Sequence, residues 1–373
     1  MIYHLLYPLS KYFPVFNIAK YITVRGGCAF ITSFVIVMLF WKYTIRRLRR
    51  LKLVEKIDMY GNVHLEALHG GKEGTPTMGG IIILASVVLG VLLWAKMTNF
   101  YIQLIFLATI WMGMVGFLDD YLKTIKKIEK GLVGRYKLVG QILLGLFIGG
   151  MIYFRPEYIM QGINSNTSMP FFKNLEIDFS WLYIPMVIFV VTGTSNAVNL
   201  TDGLDGLATG LIAIAMLAFA GMSYISGNVN FSDYLNIIYL PGSGELTVYC
   251  FAVVGAAVGF LWYNAYPAEV FMGDTGALAL GSTLGTLAVL LKKEVLLILI
   301  GGVFVAETLS VIIQTSYFKY TRRKYGKGRR LFKMTPLHHH FELKGWHESK
   351  VVTRLWIIGI LLALLSLTTF KVR

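Results

Sequence analysis

Charge is scarce in this 373-residue sequence: Asp, Glu, Lys and Arg make up 15% of it, against 56% hydrophobic residues. A soluble domain of this length needs charged surface on every side, so that class is excluded. Cysteine is nearly absent too. Cys28 and Cys250 are the two in the chain, both inside apolar runs, where a free Cys behaves as a small hydrophobe. Neither a disulfide framework nor a cysteine metal site is expected. The N-terminus lacks the basic leader, short apolar core and small-residue cleavage site of a secretory signal, and the first long apolar run begins only near Ile22. That run is expected to remain as a membrane span. Repeats, low-complexity stretches and a separate soluble segment are lacking as well, which implies one membrane domain over residues 1–373.

What the chain has in abundance is apolar runs of about 20 residues, the length that crosses a bilayer as a helix. Ten candidates lie near 22–41, 78–95, 100–118, 138–154, 182–198, 206–225, 246–263, 275–291, 295–318 and 351–370. The expected fold is an all-α polytopic membrane protein. Lys and Arg come in blocks between the runs: Lys42 to Lys72, Lys123 to Lys137, and Lys319 to Lys333. With ten spans these blocks share one side. The positive-inside rule makes that side cytoplasmic and leaves both termini periplasmic. Loops near 155–181 and 226–245 are poor in Lys and Arg, as outward loops should be. The formal charge of +15 is thus a matter of topology, and no nucleic-acid partner is expected.

This topology collects the chemistry on the cytoplasmic loops 42–77, 119–137, 199–206, 264–275 and 319–350. Asp119 and Asp120 end the third run, followed by Lys123. Two carboxylates at the negative end of a helix dipole call for a cation, most simply Mg²⁺ or Lys123, and a raised pKa would suit one of them to proton abstraction. The alternative is a solvated loop start. Asn199-Leu200-Thr201-Asp202-Gly203-Leu204-Asp205-Gly206 forms a turn between two runs. One carboxylate there suffices for a helix cap, so the crowding favours phosphate or nucleotide contact at a helix N-terminus. Asn264 opens a loop without Lys or Arg that leads through Phe271 to Gly273-Asp274-Thr275-Gly276. Asp274 is either an N-cap or an Mg²⁺ ligand, and Phe271 offers a face on which a base can stack.

Two further stretches join these. His338, His339 and His340 lie in the long basic loop, where one or two of them suit phosphate donation or proton relay better than a zinc site, since consecutive residues rarely all face one ion. Lys72 and Thr77 belong to a Gly-rich stretch that opens the second run without the order of a P-loop. Glu307 sits inside the ninth run, where an acid is expensive and faces a cavity or a partner. The sequence offers it no obvious partner.

Carboxylates for Mg²⁺, cations for phosphate and a face for a base, all on one membrane rim, suit phosphoryl transfer from a soluble donor to a lipid acceptor. The motifs Thr75-Pro76-Thr77-Met78-Gly79-Gly80, Asp119-Asp120, Asn196 to Gly206, Phe271-Met272-Gly273-Asp274 and His338–His340 occur in that order. Together with the closing Lys371-Val372-Arg373, they make the chain similar to the bacterial phospho-N-acetylmuramoyl-pentapeptide transferases. The resemblance implies transfer of phospho-MurNAc-pentapeptide from UDP-MurNAc-pentapeptide to undecaprenyl phosphate, giving lipid I and UMP, in the bacterial inner membrane. It implies Asp274 as an Mg²⁺ ligand, with Asp119, Asp120 and Asn199 as further candidates. Asp119 or Asp120 would act on the lipid phosphate, and His338 would join them in catalysis. Lys72, Asn199, Asp202, Asp205 and His338 would line the nucleotide and diphosphate site, with Phe271 near uracil. Thr77, Lys123, Gly203, Leu204, Asn264, His339 and His340 complete the substrate-binding set. Family members commonly form homodimers.

Three rivals share parts of the pattern. An intramembrane prenyltransferase would account for Asn199, Asp202 and Asp205, but its aspartates form two matching sets, which are not found here. A GlcNAc-1-phosphate transferase of the same superfamily would use similar acids, but the His338–His340 stretch and the Thr-Pro-Thr-Met-Gly-Gly run resemble the muramoyl branch. An ion-coupled transporter would place its ionisable groups near mid-membrane. Only Glu307 has such a place, and the other acids lie at the rim.

Overall fold

The computed structural model describes residues 3, 7, 12–51, 53, 72, 74–128, 131–172 and 175–369. Lys52, Lys56, Gly70, Gly71, Glu73, Lys130 and the closing Lys371-Val372-Arg373 lie outside these residues.

Each of the ten apolar runs forms helix. In chain order these are α1 (Ile22–Arg50), α2 (Gly80–Trp94), α3 (Phe100–Thr124), α4 (Gly134–Tyr153), α5 (Tyr183–Thr201), α6 (Leu207–Ser226), α7 (Glu245–Asn264) and α8 (Gly273–Leu290). They are followed by α9 (Glu294–Ile300), α10 (Gly302–Tyr325), the short α11 (Leu337–Glu342) and α12 (Glu348–Thr368). Among the described residues, seven helices are long and apolar enough to cross a membrane, and the α9–α10 pair makes an eighth if it is one span. The chain is an all-α, multi-pass membrane protein.

Three elements differ from the simple picture of ten equal spans. α2 has only 15 residues. α8 opens on Gly273-Asp274-Thr275-Gly276, and every residue from Thr275 to Leu290 is buried, so it is the core of the bundle and does not face lipid. The ninth run is two helices bent by 86°. Its break falls at Gly301-Gly302, after Gly301 N–H closes α9 on the Leu297 carbonyl at 2.7 Å; paired small residues are a usual cause of a sharp kink.

α8 packs between α3 and α5. Lipid tails are as apolar as Leu, so helices in a membrane associate through close van der Waals packing, which small residues permit. A Cβ on Gly116 of α3 would fall 2.3 Å from the Asp274 carbonyl oxygen, and one on Gly80 would fall 2.2 Å from the Gly276 nitrogen. These two contacts fix where α8 begins, and hence where Asp274 sits.

The ends of the bundle remote from the acidic motifs are held by buried polar groups. Arg25 and Glu245 form a bidentate ion pair with both contacts at 2.6 Å. A two-stranded antiparallel hairpin, β1 (Asn166–Ser168) and β2 (Glu176–Asp178), pairs Asn166 with Asp178 and Ser168 with Glu176. It lies over the α8–α9 turn. Lys293 donates to Ser168 Oγ at 2.9 Å, and Thr167 donates to Glu294 at 2.9 Å. Lys292 beneath donates to the Asn164 carbonyl at 3.0 Å and to Tyr183 Oη at 2.9 Å.

Candidate active site

Asp119 and Asp120 occupy the last turns of α3, where like charges and the helix dipole both disfavour them. The fold answers each differently. Asp120 faces the N-terminus of α8: its Oδ2 accepts from Thr275 N–H at 2.8 Å and Thr275 Oγ1 at 2.6 Å, and its Oδ1 accepts from Asp274 N–H at 3.2 Å. It therefore caps α8 from a neighbouring helix, satisfying N–H groups that have no partner within α8. Gly273, at φ +73, makes the turn that permits this, and a Cβ there would lie 2.9 Å from Asp120 Oδ2.

Asp119 faces cations. Its Oδ2 meets Lys123 Nζ at 2.6 Å and Lys137 Nζ at 2.7 Å, while Oδ1 accepts from Leu132 N–H at 2.7 Å. Asp274 meets the same two lysines, at 3.0 and 2.6 Å, and its Oδ1 accepts from Asn199 Nδ2 at 2.7 Å. One oxygen from each of Asp119, Asp120 and Asp274 lies within 4.8 Å of the others, which makes this a buried acidic cluster able to hold a metal ion. Three hard carboxylate oxygens and two flanking ammonium groups suit a divalent cation and phosphate oxygens together.

Asn199 continues this cluster into the second half of the rim, because α5 ends two residues later and turns through Asp202 to Gly206. Asp205 is buried there. Its Oδ1 accepts from Lys72 at 2.6 Å, its Oδ2 from Ala268 N–H at 3.0 Å, and its own N–H donates to Glu348 at 2.8 Å. Glu348, first residue of α12, also takes Lys72 at 2.6 Å. Burial pulls the Lys72 pKa down, but the carboxylates of Glu348 and Asp205 more than restore it, so the ammonium is held above its ordinary range. Its Nζ lies 6.0 Å from the Phe271 ring centroid.

The loops bearing Thr77 and Phe271 are clasped through their backbones. Phe271 N–H donates to the Pro76 carbonyl, and Gly79 and Gly80 donate to Phe271 and Met272, each at 2.8 Å. Asn264 anchors the base of the second loop: Nδ2 donates to the Val270 carbonyl at 2.9 Å and Oδ1 accepts from Thr209 at 3.0 Å, so both ends of its amide serve the protein. Leu204, next to Asp205 in the turn, is buried.

α11 brings the histidines to the same rim. His338 is fully buried, and a Cβ on Gly203 would strike its Nε2 at 2.4 Å. His339 Nδ1 pairs with Glu342 at 2.8 Å. His340 accepts from Lys333 N–H at 3.1 Å, and burial with the nearby Lys344 and Lys333 lowers its pKa. All the candidate residues of the sequence thus converge on one end of the bundle. Two that the sequence did not single out join them: Lys137, previously one charge in a basic block, and Glu348, an acid that opens an apolar run and could have been noticed for that.

Fold and rim together define a class, a polytopic membrane transferase. Residues 102–292 match the model of the family described as glycosyl transferase family 4, and residues 72–84 match signature 1 of phospho-N-acetylmuramoyl-pentapeptide-transferase. The chain belongs to the phospho-N-acetylmuramoyl-pentapeptide-transferase family. It is 51% identical to the protein of that name from Chloroherpeton thalassium and 50% identical to that from Gemmatimonas aurantiaca, each over 100% of both chains. The corresponding protein of Thermodesulfovibrio yellowstonii is 51% identical over the same full coverage.

Proposed function

We propose that this chain transfers phospho-MurNAc-pentapeptide from its UDP carrier to undecaprenyl phosphate, giving UMP and lipid I for peptidoglycan synthesis. The carrying observation is the cluster of Asp119, Asp120 and Asp274 with Lys123 and Lys137 at one rim. It occurs in a chain that aligns end to end with relatives named for that reaction. The whole chain acts as one membrane domain in the bacterial inner membrane. The basic blocks turn its rim toward the cytoplasm, where a UDP-linked donor is found, and the bilayer supplies the lipid acceptor. Pairing of two copies belongs to the same proposal, on the family resemblance.

The donor set suits Mg²⁺, with Asp274 and Asp119 among its carboxylates and Asn199 beside Asp274. When bound, Mg²⁺ supplies charge neutralisation on the diphosphate and on the departing UMP. The remaining work falls to the chain. Lys123 and Lys137 hold phosphate oxygens in place of the carboxylates they now bridge. Asp119 takes the proton of the lipid phosphate: its Oδ2 is released as Lys123 and Lys137 turn to the phosphate oxygens, whereas Asp120 stays bound to the start of α8. Lys72, fixed between Asp205 and Glu348, binds the nucleotide end, Phe271 stacks on uracil, and His338 faces the diphosphate. Most of the rate then comes from positioning.

The test is release of UMP by the purified chain in detergent. It should require UDP-MurNAc-pentapeptide, undecaprenyl phosphate and Mg²⁺ together. Equal use of UDP-GlcNAc would overturn the muramoyl assignment, and no release from either donor would overturn the transferase.

A further inference from the structure

Glu307, which has no task so far, forms a buried pair with His338. Glu307 lies in α10 and is 1% exposed, and His338 opens α11 at 0%. The acid that has no partner in the sequence has one in the fold. Its Oε2 lies 3.3 Å from His338 Nδ1 and accepts from the His338 backbone N–H at 3.3 Å. Glu307 Oε1 and both ring nitrogens of His338 have no hydrogen-bond partner among the described residues. On the other side of the ring, Nε2 rests against Gly203, so close that a Cβ there would lie at 2.4 Å.

We propose that Glu307 is a positioning residue, holding the His338 imidazole with Nδ1–H toward α10 and Nε2 toward the Asp202-Gly203 turn. The inference rests on His338 being part of the active site. Neutral imidazole carries one N–H, and the partner of one nitrogen decides what the other can do. A carboxylate behind the ring fixes its orientation and tautomer. Nε2 then presents its lone pair toward the Asp202-Gly203 turn. The same carboxylate receives an N–H from the first turn of α11, so one group orients both the ring and the helix that carries it. Catalytic hydrogen bonds often tighten only in the complex with substrate, which accommodates the 3.3 Å separation. Gly203 belongs to the arrangement, since a side chain there would displace Nε2 from the turn.

The experiment combines ¹⁵N NMR of histidine-labelled protein with kinetics. The His338 signals, assigned by their loss in His338→Asn, should report Nδ1–H in the wild-type chain. Glu307→Gln removes the charge behind Nδ1 and sets only one of its two amide groups at the place of Oε2, the atom that faces both Nδ1 and the His338 backbone N–H, so it should loosen the Nδ1–H tautomer and populate the Nε2–H form. Its kcat should fall ~10–100-fold, the scale seen when a carboxylate behind a working histidine is lost, with KM for the UDP donor changed less than about twofold. Adding His338→Asn should cost little more, because two residues acting as one unit are not additive. An Nε2–H tautomer in the wild-type protein overturns the proposal. So does full turnover by Glu307→Gln, which would make Glu307 only a cap for α11, or additive losses in the double variant. The tautomer is read without turnover, so failure of the transferase reading would leave this result distinct.

Discussion

Asp119 and Asp120 are adjacent in sequence yet meet different groups, and substitution should separate their tasks. Asp119→Asn removes the carboxylate that bridges Lys123 and Lys137, and kcat for UMP release should fall by ~10²–10⁴, the range for a lost general base. Asp120→Asn still offers an oxygen to Thr275 but loses the charge at the start of α8. It should lower stability by about 1 kcal/mol and turnover by less than about tenfold. UMP assays and thermal melting of both variants check this, and a reversed ranking would sink the assignment. Lys72 gives a second residue-level prediction. Its pKa is raised in the folded chain by Glu348 and Asp205 against the pull of burial. A folded pKa above the unfolded one gives stability that is complete below the unfolded value and lost as pH rises through the folded value. Lys72 therefore stays charged across an assay range of about pH 6 to 9. Lys72→Met should raise KM for the UDP donor about tenfold, the scale of one lost charge-assisted contact, with the same factor at each pH. A factor that varied with pH across that range would refute the constant charge.

At the scale of elements, the start of α8 sets the geometry of the whole acidic cluster. Gly116→Ala would drive a Cβ to 2.3 Å from the Asp274 carbonyl oxygen, a backbone atom that cannot swing aside. It should cost about 1–3 kcal/mol and most of the activity. Gly150→Ala meets nothing within 4 Å and should leave melting and UMP release unchanged. The helices themselves were legible from sequence, because length and apolarity alone decide which segments form helix in a bilayer. The bend between α9 and α10 was not, since Gly301-Gly302 falls inside a run whose hydropathy hardly changes. Nor was the burial of α8, because hydropathy does not distinguish lipid from protein as the neighbour. The motif residues of the site were legible through their crowding on one face. Lys137 and Glu348 were not, because their partners are remote: Lys137 meets Asp274 across 137 positions and Lys72 meets Glu348 across 276. Glu307 stood out as an acid in an apolar run, yet only the fold supplies His338.

For the whole molecule, orientation in the bilayer is the property on which the chemistry depends most, since the donor and the lipid headgroup must meet at one rim. The basic blocks argue for a cytoplasmic rim, and the fold offers an independent count. Between the β1–β2 hairpin and the basic stretch after α10, the chain passes through α5, α6, α7, α8 and the bent α9–α10 pair. If that pair crosses as one span, the hairpin and the basic stretch lie on opposite faces. If instead it enters and leaves by the same face, they share a side, and the Lys319–Lys333 block would then violate the charge rule. Glu176 and Lys327 are both exposed, and neither belongs to the acidic cluster. In a background with Cys28 and Cys250 replaced by Ala, Glu176→Cys should react with an impermeant maleimide once the outer envelope is opened. Lys327→Cys should react only after the inner membrane is permeabilised. Labelling of both positions before permeabilisation would make α9–α10 re-entrant, and labelling of Lys327→Cys alone would invert the molecule and put its rim where no UDP-linked donor is found.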